Sequence, residues 1–123
     1  METPQQYAEV FDVATAVSSV GGDSEFLSEV VGLVQAAWPT LLADIREGIS
    51  RGDLRAVETR ARLAKAAARN VSAKRAYESA RQLESLAGRG DFQAIQAAIA
   101  TLEREVEVLR FYLALVGDFS CPE

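Results

Sequence analysis

The stretch "GRGDFQAIQAAIATLEREVEVLRFYLALVG" near the C-terminus constrains the fold more than any other part of the chain. Its apolar residues Phe92, Ile95, Ile99, Leu102, Val106, Leu109, Leu113 and Val116 alternate spacings of three and four without a fault. That period winds a single apolar stripe along one face of a helix of roughly seven turns. A stripe this long is stable in water only when other elements cover it, and further helices cover it most readily. Asp91 is placed to cap this helix at its start and Gly117 to stop it.

The covering helices are legible upstream. Leu54, Val57, Ala61, Ala64 and Ala68 share a helical face, with Val71 after a break. Ala73, Ala76, Ala80, Leu83 and Ala87 repeat the spacing. Both seams are mostly alanine, so neighbouring helices can approach closely there. A further helix opens at Asp23 or Ser24 and runs to Ser50, with Pro39 inside it. Proline removes one backbone bond and crowds the preceding turn, so a kink or brief break is expected around Trp38 and Pro39. A shorter element, "FDVATAVSSV", precedes Gly21 and Gly22. The links at Gly21-Gly22, Gly52 and Gly88 to Gly90 are short, and short links force antiparallel neighbours. The expected fold is all-α: an up-down four-helix bundle over residues 11–117 with a short additional N-terminal helix. Residues 1–10 read as an extension and 118–123 as a tail. "RGDL" and "RGDF" each place a glycine stop before an aspartate cap, which explains them better than integrin recognition does.

A chain of 123 residues can bury one proper core. With 49% apolar and 25% charged residues it has the composition of a globular protein. No apolar run approaches the roughly 20 residues that span a bilayer. No secretory leader opens the sequence. The single cysteine, Cys121, has no internal disulfide partner, and a cytoplasmic location fits. There is no histidine. Histidine-based general acid–base catalysis is therefore excluded, and a conventional zinc site is disfavoured. Glu103, Glu105 and Glu107 diverge along their helix and read as solvated charge, while Glu78, Glu84 and Asp118 show no metal-ligand pattern. No enzymatic activity, cofactor or metal is expected.

Charge is unevenly spread. Residues 51–75 hold eight basic and two acidic side chains (8 − 2 = +6), which leaves −11 of the total −5 for the remainder. Arg55, Arg62, Lys65 and Arg69 fall at spacings of seven, three and four, on one helical face. Such a stripe can steer an acidic partner, or it can be a solvated face balanced by acidic neighbours in the fold. The acidic total and the lack of aromatics among these charges argue against nucleic acid.

In order, "FDVATAV", "GGDSEFL", "WPTLLADIREGISRGDL", "NVSAKRAYESARQLE" and "GRGDFQAI" resemble the layout of a histidine-containing phosphotransfer (HPt) domain of two-component signalling. The family's phosphoacceptor helix carries a His, then Lys three residues on, Gly four on and Asn eight on, followed soon by Gly-Ala. Anchored on Asn70 and Ala73, the resemblance puts Lys65 on the lysine, Arg62 on the histidine, Ala66 on the first glycine and Ser72 on the second. The acceptor and both glycines are replaced. Guanidinium stays protonated and is a poor nucleophile, so phosphotransfer through position 62 is excluded.

The resemblance then implies a phosphorylation-incompetent HPt-like protein that docks a response-regulator receiver domain or a histidine kinase. Arg55, Arg62, Lys65, Ala66 and Arg69 are the expected contacts. Against it stands a purely structural bundle with no receiver partner. Phe111, Tyr112 and Leu115 widen the apolar surface of the last helix and could cover the N-terminal helix or form a homodimer patch.

Overall fold

The computed structural model describes residues 10–12, 15, 16, 18 and 20–116. Four helices dominate them: α1 (Ser24–Ser50), α2 (Leu54–Asn70), α3 (Lys74–Arg89) and α4 (Phe92–Val116). No strand occurs among the described residues. α1 and α3 each pack on both α2 and α4, so the four helices form a bundle around an apolar core.

The two Arg-Gly-Asp turns work as stop plus cap. Gly52 and Gly90 take left-handed φ values of 70° and 76°, which side chains other than glycine adopt at a cost. Asp53 then accepts from the Ala56 N–H at 3.1 Å and Asp91 from the Ala94 N–H at 3.1 Å. Asp23 opens α1 in the same way through the Phe26 N–H at 3.0 Å. The α2–α3 turn is built differently. Ser72 holds φ 55° where glycine would be easier, and Ala73 at the N-cap position of α3 provides no side-chain acceptor.

The alanine seams are buried as their period requires: Val57, Ala61, Ala64 and Ala68 on α2, and Ala76, Ala80, Leu83 and Ala87 on α3. On α4, Ile95, Ile99, Leu102, Val106, Leu109 and Leu113 are buried, while Phe92, at the first position of the helix, stays exposed at the bundle edge. Trp38 is fully buried, and its indole N–H has no hydrogen-bond partner among the described residues.

Pro39 does not break α1, which is helical throughout Ser24–Ser50. Pro39 lies on the exposed face, where the carbonyl that loses its partner can turn to water. By length and composition Glu25–Ser50 is also apolar enough to cross a membrane, against the expectation that no apolar run approaches that length. The same composition serves a core helix, and Leu27, Val31, Val34, Trp38, Ile45 and Ile49 of α1 are buried.

Much of the expected N-terminal helix lies outside the described residues, as do residues 1–9, the stop at Gly117 and the tail with Cys121. Val10, Phe11 and Ala16 are buried against the core. The Asp12 N–H donates to the Ser72 carbonyl at 3.1 Å, tying this segment to the α2–α3 turn. The Asp12 carboxylate accepts from the Thr15 N–H at 3.0 Å and the Thr15 hydroxyl at 2.8 Å.

Candidate functional site: the basic face of α2

Because Val57, Ala61, Ala64 and Ala68 turn inward, the 3.6-residue period turns Arg55, Arg62, Ala66 and Arg69 outward, and all four are exposed. Leu63, exposed beside them, adds an apolar element to the face that the charge pattern did not signal.

Arg62 and Lys65 converge on one carboxylate. Glu84, from α3, accepts from Arg62 Nε at 2.9 Å and pairs with Lys65 Nζ at 2.7 Å. Glu58, one turn before Arg62, lies 3.8 Å from its Nη2. The Arg62 side chain remains 57% exposed, whereas Lys65 is 22% and Glu84 17% exposed. The Lys65 ammonium foremost, and then the Arg62 guanidinium, hold the Glu84 carboxyl below its ordinary value, against the opposing effect of burial.

Arg69 takes a different partner: its guanidinium carbon stands 5.6 Å from the centre of the Tyr77 ring, within cation–π range. A hollow of about 290 Å³ adjoins it at the α2–α3 turn, lined by Thr15, Ser72, Lys74 and Tyr77 among others. Arg55 stands apart from the cluster, near the α1–α2 turn, where it lines a shallow surface hollow with Asp53, Thr59 and Arg60. The sequence-expected face thus divides into a neutralised pair, an aromatic-stacked arginine and, in Arg55, one with no charged partner among the described residues.

Other members of the basic run are also neutralised across helices. Arg60 lies 4.0 Å from Asp44 of α1, and Arg75 pairs with Glu105 of α4 at 2.9 Å. Arg46 of α1 grips Glu103 with two nitrogens, at 2.8 and 2.6 Å. That forked bond holds the Glu103 carboxyl below its ordinary value. Glu103 and Glu105 diverge as their spacing requires, yet neither is merely solvated, because each meets an arginine from a different neighbouring helix.

Sequence reasoning weighed Glu84 only as a metal ligand and missed it as the partner of Arg62 and Lys65. A signal for it exists in the spacing on either side of the α2–α3 turn. Arg62 and Glu84 each lie eleven residues from Ala73, and Arg69 and Tyr77 each lie four from it. Among the described residues no cluster of acidic or sulfur side chains is suited to a metal ion. Compared with protein-family models, curated proteins and solved structures, the chain matches none of them.

Proposed function

We propose that this chain is a phosphotransfer-incompetent protein of HPt type that docks an acidic receiver domain, or the kinase bearing one, through the outer face of α2. The observation that carries this reading is Arg62. It is exposed on α2 beside Lys65 and next to the small, exposed Ala66, where the resemblance places the phosphoacceptor. The left-handed φ of Ser72 supports the same register, since the resemblance assigns that position to a glycine. An up-down helix order with a short additional N-terminal helix belongs to the proposal. It is supported by the pairing of Arg62 with Glu84 and Arg69 with Tyr77 about one turn, and of Arg46 with Glu103 and Gln35 with Arg110 between α1 and α4.

The chemistry of the face suits binding and not transfer. Arg62 offers planar donors for a carboxylate and no lone pair for a phosphoryl group. In the cytoplasm such a protein would occupy a receiver without discharging it, and so block or bridge a relay.

Calorimetry of the purified chain against receiver domains from the same organism, with and without an aspartyl-phosphate mimic, tests this. Saturable binding to one or two receivers that weakens with added salt is the expected result. Absence of binding across the panel removes the proposal. In that case Phe111, 61% exposed and edge-on to Tyr112 at 6.2 Å, favours the second reading, a bundle that self-associates through α4.

A further inference from the structure

Resting on that reading of the α2 face, we infer that Glu84 is an internal stand-in for the partner's acid, and that it restricts the face to partners bearing a cluster of carboxylates. Glu84 sits between the two cations that a docking carboxylate would seek, at 2.9 Å from one and 2.7 Å from the other. Its oxygens take Arg62 Nε and Lys65 Nζ, and Glu58 stands close to the remaining edge of the guanidinium. Both cations are therefore already charge-paired within the chain, although the Arg62 Nη groups keep donors to spare.

An incoming single carboxylate would exchange one ion pair for another of the same kind. Exposed or partly exposed pairs differ little in strength, so the exchange gains almost nothing. A clustered set of carboxylates gains more. It can take Arg62 and Lys65 together and also reach Arg55 and Arg69, which have no carboxylate partner among the described residues. Lys65, mostly covered, becomes available only when Glu84 swings aside. Glu84 thus acts as a filter: it lowers affinity for all acids and lowers it most for isolated ones.

The test uses the full chain and a tetra-aspartate peptide as probe, with a peptide holding one aspartate as the comparison, both at low salt. Glu84→Gln removes the charge and keeps the shape of the side chain. It is expected to bind tetra-aspartate at least about fivefold more tightly than the unaltered chain, with a smaller preference over the one-aspartate peptide. Adding Arg62→Ala to Glu84→Gln is expected to cancel the gain. In the unaltered chain, titration with tetra-aspartate should move the NMR resonance of the Glu84 carboxyl carbon as its ion pairs exchange, a readout that needs no variant to fold. Equal or weaker binding by Glu84→Gln, or no binding by either form, overturns the inference. If Glu84→Gln tightens the peptide while no receiver binds either form, the filter stands and the receiver proposal falls. If a receiver binds and Glu84→Gln does not tighten it, the filter falls and the receiver proposal stands.

Discussion

Two alanines two residues apart on α2 should respond very differently to the same substitution. Ala64 is fully buried in a seam whose other small members, Ala61 and Ala68, are also fully buried, whereas Ala66 is exposed. Leucine at 64 adds three carbons where the helices meet through methyl groups. Overpacking of this kind costs about 1–3 kcal/mol. For a domain of this size each kcal/mol lowers the melting temperature by roughly 3–5 °C, so Ala64→Leu should melt about 3–15 °C lower. Ala66→Leu adds the same carbons to a surface position with good helix propensity and should stay within about 0.5 kcal/mol of the parent. Thermal melts followed by circular dichroism read both. Because Ala66 lies on the proposed docking face, Ala66→Leu should still weaken binding to a confirmed receiver. Equal melting temperatures for the two variants would refute the inward assignment of the alanine seam, and with it the outward assignment of Arg62.

Acid titration should reveal two of the interhelical carboxylates, Glu84 and Glu103. Glu84 and Glu103 titrate below their ordinary value of 4.5, so their stabilisation is fully present above that pH and is lost as the pH falls through their lower folded-state values. Urea midpoints should fall below about pH 4.5, and Glu103→Gln should flatten that fall while lowering the neutral-pH midpoint. Ser72→Gly relieves a left-handed residue at the α2–α3 turn; a net gain of about 0.5–1 kcal/mol is expected after the added freedom of the unfolded chain, readable as a higher melting temperature. Trp38→Phe removes a buried donor that has no partner among the described residues, so it should cost well under the roughly 3–5 kcal/mol of a truncation to alanine, by urea denaturation of both variants.

What the sequence made legible were the features set by local rules. The three aspartate caps, the two glycine stops and the buried stripes of α2, α3 and α4 follow from period and backbone geometry within a few residues, and each is found where its residues put it, except that Phe92 is exposed and Leu54 half-buried at the helix starts. The charges were less legible. Arg62, Lys65, Arg46 and Arg75 all find carboxylates on other helices, and which carboxylate depends on the register of one helix against the next. Period along one helix carries no register. Equal spacing about Ala73 matches Arg62 with Glu84 and Arg69 with Tyr77. Pro39 illustrates a different limit: the cost of a helical proline depends on which face it occupies, and on the exposed face of α1 the helix continues through it. Ser72 is legible only in retrospect, because a left-handed serine has no distinctive local signature.

The most telling measurement is the footprint of a bound receiver on the isotope-labelled chain by NMR. Docking through α2 predicts that amide and side-chain shifts concentrate on Arg55, Arg62, Lys65, Ala66 and Arg69, spread to Glu84, and leave Phe111 and the rest of α4 unmoved. Shifts centred on Phe111 and Tyr112, with the α2 face silent, would contradict it and make α4 the interaction surface.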